Sequence, residues 1–390
     1  YAAVDHFRVL DEDSGGDDEL YDVMHRVRDV IRSNNHTFFN LSIGPELPVD
    51  DTEVHAWTCM LDELLADGKR FATVAAGNGG HLDSSVGNNR VQVPADGVNA
   101  LSVGSADTRK DDWRRAWYSS VGPGRSPGMV KPDVIGFGGV EGEPFWVVNP
   151  SAPQGELHGT MGTSFAAPAA MRQALGIRAH FRELLNHLAI KALLIHCADD
   201  SKEDLCAHGW GRVPADVESF VVCPDGSARI VYQGEVEPGG WIRAPIPVPS
   251  GELEGNLRIR ATFCYATRTD ANHPGNYTQS GLVITFRPHD QVFDPNSERE
   301  LRRDAHKWET VLHRDKQFRG SSLRNPVFDV NFQAREEGHA ATSADTLRYA
   351  LVITVSSKRI KDIYNKVLRR YRAQLRPLQP VVQIPIRTRT

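Results

Sequence analysis

The feature that most constrains the fold is the regular alternation of strand-like and helix-like segments through the first 215 of the chain's 390 residues. The helix-like segments carry apolar residues at intervals of three and four, and the strand-like segments are short apolar runs. Strands and helices in this order predict a parallel sheet with helices packed on its faces. The predicted helices are residues 17–35, 53–69, 164–181 and 183–198. The predicted strands are residues 6–10, 37–44, 70–80 and 99–107.

Two of these strands run into segments that suit a functional site. In an open parallel sheet, a ligand lies beyond the carboxyl ends of the strands. "LSIG" (41–44) and "AAGN" (75–78) both lie at such ends. They are therefore the first places to look for binding or catalytic residues.

The character of the chain changes after "HGWGRVPA" (208–215), where apolar runs alternate with Pro, Gly and Asp turns. This pattern predicts an antiparallel β-sandwich domain, and we divide the chain into residues 1–217 and 218–390. Residues 289–345 are polar and irregular, and we expect a long insertion or loop there. A helix with an apolar and a basic face is predicted at 357–376, followed by a Pro-rich strand at 380–388. The predicted strands of this domain are residues 228–236, 241–248, 256–266, 280–288 and 348–357.

Composition narrows the class of protein. The net charge of −5 gives no overall basic character that would favour nucleic acid, and no apolar run is long enough to span a bilayer. The five cysteines are scattered without CxxC spacing, which indicates reduced thiols and predicts a cytoplasmic location. The chain opens on Tyr1 within strand-like sequence, so we expect it to begin inside a longer protein.

The stretch "GTMGTSFAAPAA" (159–170) places Ser164 at the expected start of a helix. The free N–H groups of a helix start can face the oxyanion that forms when a hydroxyl attacks a carbonyl. Small neighbours let a substrate backbone approach, and Pro168 is expected in the first turn, where its missing N–H costs nothing. The alternative is that Thr163 or Ser164 is only a helix N-cap.

A second candidate is Asn78 in "VAAGNGG", an amide at a strand end flanked by glycines. It can supply a second oxyanion donor, or it can be an ordinary turn asparagine beside glycine. "LSIG" can pair with an extended peptide as an added strand, or it can simply be the end of a strand.

Seven segments in this order and at these spacings resemble the subtilase (subtilisin/kexin) family of serine peptidases, over residues 1 to about 217. They are "LSIG", "VAAGNGG", "PADGVNALSVGSAD", "YSSVGPG", "KPDVIGFGG", "GTSFAAP" and "HGWGRVPA". The resemblance implies a subtilisin-like α/β fold and a serine endopeptidase that acts through an acyl-enzyme on Ser164. It implies that Asn78 and the Ser164 N–H form the oxyanion hole. It also implies a substrate-pairing strand at Ser42, Ile43 and Gly44, and a primary pocket walled by Ala75, Ala76 and Gly77.

Three further expectations follow from the resemblance. Val93–Pro94 is a candidate cis peptide. Gln92 stands where relatives tend to carry a small residue near the pocket floor, so we expect a restricted or polar primary pocket. Calcium is common in the family, but no aspartate-rich loop with metal-ligand spacing stands out, so no cofactor is evident from the sequence.

A serine nucleophile needs a base and an orienting carboxylate, and two segments imitate the family's motifs for them. They are "DSG" at 13–15 and "HGT" at 158–160. Asp13 matches an acidic loop that follows the catalytic His in the family, and His158 lies only six residues before Ser164, so we reject both. His196 and His208 are expected to be packing or surface residues. We therefore expect the catalytic Asp and His upstream of Tyr1, and an inactive fragment without them.

Two rival interpretations of the function stay open. One is a catalytically inactive subtilase-fold scaffold that acts through its β-domain as a binding module. The other is an α/β-hydrolase, but "GTSFA" lacks the second Gly of a G-x-S-x-G elbow. The expected partner is a protein or peptide substrate, without membrane or nucleic acid, and the partner of the β-domain is unspecified. The basic helix at 357–376 either contacts an acidic partner or nucleic acid, or has a solvated basic face and docks its apolar side on the domain.

Overall fold

The computed structural model describes residues 3–11, 19–149, 152, 155–200, 204–249, 253, 255–290, 307–335 and 346–380. Its amino-terminal half is built on a four-stranded parallel sheet with the strand order β1-β2-β3-β4. Phe38 pairs with Phe71, Thr73 with Leu101 and Val103 with Val134 across the three parallel ladders. The strands are β1 (Phe38–Leu41), β2 (Phe71–Ala75), β3 (Leu101–Ala106) and β4 (Val134–Phe137).

Helices cover both faces of this sheet, as its all-parallel pairing requires. Side chains of β2 alternate between the two faces: Ala72 and Val74 join the core of the first two helices, whereas Phe71 joins the core of the next two. The predicted α/β fold is confirmed. The helices are α1 (Tyr21–Ser33) and α2 (Ala56–Leu65) on one side, and α3 (Thr163–Phe181) and α4 (His187–His196) on the other.

A small hairpin precedes α3. Strands β5 (Phe145–Val148) and β6 (Leu157–Thr160) pair antiparallel. The short helices α5 (Leu205–His208) and α6 (Glu218–Val221) follow α4. No helix in the described part of the chain is long and apolar enough to cross a membrane.

The carboxyl-terminal half is an antiparallel β-sandwich, as predicted. Its first sheet has the order β11-β9-β13-β7 and its second the order β10-β12-β8. The apolar residues between the two sheets form one cluster. The strands are β7 (Ser227–Val236), β8 (Trp241–Pro245), β9 (Asn256–Tyr265), β10 (Ser280–Arg287), β11 (Val311–Arg319), β12 (Val327–Ala334) and β13 (Leu347–Ser356).

The α/β part and the sandwich share a hydrophobic core through α4. Along β13, Leu351 and Ile353 face the sandwich interior, whereas Ala350 and Val352 belong to the cluster that contains α3 and α4. Every residue of α4 from Leu188 to His196 is buried. A helix that is buried on all sides has no solvent face, so α4 is packed between two layers rather than lying on a surface.

Two predictions about strands were wrong. Residues 6–10 form no strand, because within the described residues no neighbouring strand supplies their ladder hydrogen bonds, and the Val9 carbonyl accepts instead from Arg26 Nη1 at 2.9 Å. The segment 289–345 is not only a loop, since β11 and β12 lie in it. β11 is an edge strand whose outer face is charged, and β12 contains the buried Asp329. The charged residues of β11 and the aspartate in β12 made both segments look like parts of a loop in the sequence.

The carboxyl-terminal helix is shorter than predicted. It is α7 (Ile363–Arg370), and Ile363 and Val367 are buried in the core of the sandwich. The apolar face of this helix is therefore docked on the domain. The predicted strand at 380–388 lies outside the described residues, apart from its first residue.

Candidate active site

Ser164 is the second residue of α3, because the helix begins at Thr163. The N-cap is Gly162, so the interpretation of Thr163 or Ser164 as a simple N-cap is wrong. The first N–H groups of a helix lack intrahelical acceptors, and among the described residues no protein group accepts from the Ser164 N–H. This N–H is available to a developing oxyanion.

The carboxamide of Asn78 is held in one orientation by Thr163. Both the backbone N–H and the hydroxyl of Thr163 donate to Asn78 Oδ1, each at 3.0 Å. The Thr163 hydroxyl in turn accepts from the Gly77 N–H at 3.2 Å. Because Oδ1 is the acceptor in this network, Nδ2 is the end that remains to donate. It lies near Gly162, where a Cβ would be 3.6 Å from it. The amide donor and the start of α3 therefore face the same place.

Ser42, Ile43 and Gly44 follow directly after β1, which ends at Leu41. The Ser42 hydroxyl donates to the backbone carbonyl of Ser164 at 3.1 Å, which brings the end of β1 to the start of α3. Gly44 is packed against the neighbouring chain segment, since a Cβ there would lie 2.5 Å from the Val93 carbonyl oxygen. The structure thus brings the predicted substrate-pairing segment to the predicted nucleophile.

Gln92 lies against Gly77, a wall residue of the predicted primary pocket. Its Oε1 accepts from the Asn78 N–H at 3.3 Å, and its Nε2 donates to the Glu46 carbonyl at 3.5 Å. Gly77 has φ +102°, and a Cβ there would meet Gln92 Oε1 at 2.3 Å. The side chain therefore spans the gap between the segment after β1 and the segment after β2. Ala75 ends β2 and is half-buried, Ala76 is buried, and Val93–Pro94 is cis, as predicted.

The position of Pro168 was predicted incorrectly. It is the sixth residue of α3 and lies inside the helix rather than in its first turn. A proline at this position has no N–H to donate to the carbonyl four residues earlier, which belongs to Ser164. The predicted start of the helix at Ser164 is one residue late, and even from that start Pro168 is the fifth residue and lies beyond the first turn.

Sequence reasoning missed three features of the site. Thr163 was interpreted only as a possible cap, although it orients Asn78. Phe165, the residue after the nucleophile, stacks on Phe145 of the hairpin with ring centroids 5.4 Å apart. Asn40 donates to the Ser42 hydroxyl, and Thr73 on the adjacent strand donates to Asn40. The "GTSF" motif contains the first two residues, but only the tertiary structure shows what they contact.

The structure does not bring a base to Ser164 within the residues that it describes. His158 is exposed on β6 opposite Val147, and none of its hydrogen bonds reaches Ser164. Asp13 lies outside the described residues. His196 is buried between the hydroxyls of Thr262 and Thr354, and burial lowers the pKa of its imidazole well below the usual range. It is a packing residue, as predicted.

No group of three or more His, Cys, Asp or Glu side chains that could hold a metal ion occurs among the described residues. All five cysteines are free thiols. Burial raises the pKa of Cys59 to about 11, so this thiol is protonated at neutral pH.

The parallel sheet, the flanking helices and the serine at a helix start define an α/β fold of the subtilisin type. The subtilase family model matches residues 4–212, which is more than half of the chain, and the chain belongs to this family of serine proteases. A comparison with curated protein sequences finds no match.

Three solved structures illustrate the comparison with known folds. The self-cleaved protease domain of PatA is 22% identical, with 51% of this chain and 65% of that chain covered and a TM-score of 0.38. The S41 psychrophilic protease is 21% identical, with coverages of 53% and 66% and a TM-score of 0.39. The epidermin leader peptide processing protease of Staphylococcus aureus is 19% identical, with coverages of 52% and 54% and a TM-score of 0.38. The chain spans less than two thirds of the length of each of these structures.

Proposed function

We propose that the protein is a serine endopeptidase in which Ser164 is the nucleophile and Asn78 and the Ser164 N–H form the oxyanion hole. The observation that carries this proposal is the orientation of the Asn78 amide. Two donors of Thr163 occupy Asn78 Oδ1, so Nδ2 is left to donate beside the start of α3. Two hydrogen-bond donors directed at one position can stabilise the oxyanion of a tetrahedral intermediate.

In this mechanism the Ser164 hydroxyl attacks the carbonyl carbon of the scissile peptide bond. The carbonyl oxygen becomes an oxyanion that accepts from Asn78 Nδ2 and from the Ser164 N–H. A histidine takes the serine proton and passes it to the leaving amine, which leaves an acyl-enzyme on Ser164 that water hydrolyses. We propose that this histidine and its orienting aspartate precede Tyr1, which makes the present chain inactive alone. This part of the proposal rests on the family resemblance, and so does any role for calcium.

The substrate is proposed to be a peptide in extended conformation that pairs with Ser42, Ile43 and Gly44. Its side chain before the scissile bond would enter the pocket beside Ala75, Ala76 and Gly77. The position of Gln92 supports a preference for small or polar residues there, because its amide fills space between the segments that follow β1 and β2. The sandwich of residues 218–390 is proposed to support the α/β part through their shared core.

Asn78→Ala in the full-length protein tests the oxyanion hole. The expected result is a loss of roughly 10²–10³-fold in kcat with little change in KM, which is the magnitude measured when the corresponding donor is removed from subtilisin. Asn88→Ala, at an exposed asparagine of the following loop, is the matched control and should retain parental turnover.

Unchanged turnover in Asn78→Ala would show that the oxyanion assignment is wrong. If the full-length parent cleaves no peptide, the alternative of an inactive scaffold is favoured instead. The amino-terminal sequence and intact mass of the native protein then decide the matter, because they show whether an Asp turn and an H-G-T helix precede Tyr1.

A further inference from the structure

We propose that the hydroxyl of Ser42 is a positioning group for the nucleophile, in addition to the role of its backbone in pairing with substrate. It holds the Ser164 carbonyl, which Pro168 leaves without its usual helical donor. This inference rests on the proposed function of Ser164, and it names a residue through which the substrate strand and the nucleophile are joined.

Pro168 removes one backbone hydrogen bond from the first part of α3. In an α-helix, the N–H of residue 168 would donate to the carbonyl of residue 164. Proline has no N–H, so this intrahelical hydrogen bond to the Ser164 carbonyl is missing. The Ser42 hydroxyl supplies one at 3.1 Å. A hydrogen bond from outside the helix thus replaces a hydrogen bond within it, at the residue whose position matters most for catalysis.

The Ser42 hydroxyl is itself oriented by a chain of hydrogen bonds from β1 and β2. A hydroxyl has one hydrogen to donate and two lone pairs to accept with. Asn40 Nδ2 donates to Ser42 Oγ at 3.2 Å, and the hydroxyl of Thr73 donates to Asn40 Oδ1 at 2.9 Å. Asn40 and Thr73 are register partners on β1 and β2, and Thr73 is fully buried. The relay therefore runs in one direction, from the buried sheet through Asn40 and Ser42 to the Ser164 carbonyl.

The relay is proposed to position Ser164 relative to the bound substrate. A misplacement of about 1 Å between reacting groups can lower a rate roughly a hundredfold. The substrate backbone is proposed to lie along Ser42, Ile43 and Gly44, and the Ser42 side chain is bonded to the nucleophilic residue. This hydrogen bond therefore links the segment that holds the substrate directly to the serine that attacks it.

The experiment is a double-mutant cycle in the full-length protein, with Ser42→Ala, Pro168→Ala and the double variant. Pro168→Ala restores a backbone N–H that can donate to the Ser164 carbonyl. We expect Ser42→Ala to lower kcat roughly three- to tenfold with KM unchanged, since it removes one hydrogen bond. Ser42→Thr, which keeps the hydroxyl, should retain parental kcat. In the Pro168→Ala background, the loss on Ser42→Ala should be smaller than in the parent.

Ser33→Ala is the matched control, because the Ser33 hydroxyl also donates to a helical carbonyl, that of Asp29, far from the site. It should leave kcat and KM unchanged. An equal loss of kcat on Ser42→Ala in both backgrounds, or a rise in KM with kcat unchanged, would overturn the proposal.

The failure of the proposed function is distinguishable from the failure of this inference. If the parent neither turns over peptide nor reacts with a fluorophosphonate, Ser164 is not the nucleophile, and a catalytic role for Ser42 is overturned with it. Urea unfolding of the same four proteins then reports the structural part separately. A loss of stability on Ser42→Ala that disappears in the Pro168→Ala background shows that the hydroxyl compensates for the proline, whereas equal losses show that it does not.

Discussion

Gln92→Gly should open the primary pocket to large side chains. In the structure, the Gln92 amide bridges the Asn78 N–H and the Glu46 carbonyl and lies against Gly77 so closely that a Cβ there would meet its Oε1 at 2.3 Å. Removing the side chain vacates the space between the segments that follow β1 and β2. We expect a peptide with an aromatic residue before the scissile bond to bury its ring there in the variant but not in the parent.

The magnitude follows from the area that a phenylalanine would bury. Complete burial of such a side chain contributes about 2 kcal/mol, which corresponds to roughly a thirtyfold gain in kcat/KM for phenylalanine relative to alanine. The substitution also removes the acceptor of the Asn78 N–H, and this loss should lower the rate for both substrates alike. The ratio of the two kcat/KM values therefore isolates the effect on the pocket.

The assay compares two chromogenic peptides that differ only in alanine or phenylalanine before the scissile bond, with the full-length parent and variant. Gln92→Asn, which keeps the amide on a shorter stem, should give an intermediate ratio. A parent that already prefers phenylalanine, or a ratio unchanged by Gln92→Gly, would refute the restricted pocket.

Two further predictions concern stability. Leu193→Ala should lower the free energy of unfolding by about 2–5 kcal/mol, because Leu193 is buried in the core that α4 shares with the sandwich. Urea unfolding of this variant should show one transition. Two separate transitions would contradict a shared core. Burial holds the pKa of His313 at about 4, so the unfolded chain binds a proton first as the pH falls. The contribution of His313 to stability should therefore fall by about 2 kcal/mol between roughly pH 7 and pH 5. His187 and His196, whose pKa values burial also lowers, add to the same trend. His313→Gln should make the pH dependence less steep by about this amount, and an equally steep profile in the variant would contradict the assignment.

The fold was predictable where local pattern and tertiary environment agree. The parallel sheet followed from the alternation of strands and helices, and β13 was recognisable because both of its faces are largely buried and most of its residues are apolar. β11 was missed because it is an edge strand: only one face is covered, and its charged residues look like a loop. β12 was missed partly because it carries the buried Asp329, whose charge is compensated by Arg243 and Arg287 from neighbouring strands.

The candidate site was predictable as a set of residues but not as a geometry. Ser164 and Asn78 were selected as candidates from the order of their motifs, whereas the orientation of the Asn78 amide depends on Thr163. The role of Pro168 could not be inferred, because it depends on which group replaces the missing N–H, and that group, the Ser42 hydroxyl, lies on a distant segment of the chain. The contact between Ser42 and Ser164 joins residues far apart in the chain, so only the packing of β1 against α3 reveals it.

The most direct test of Ser164 as the nucleophile is covalent labelling of the full-length protein with a fluorophosphonate, followed by peptide mass mapping. This reagent phosphonylates an activated serine, and we predict a single adduct on the peptide that contains Ser164. Ser164→Ala should carry no adduct. An adduct on another serine, or the absence of any adduct on a folded full-length protein, would contradict the assignment of Ser164 as a nucleophile.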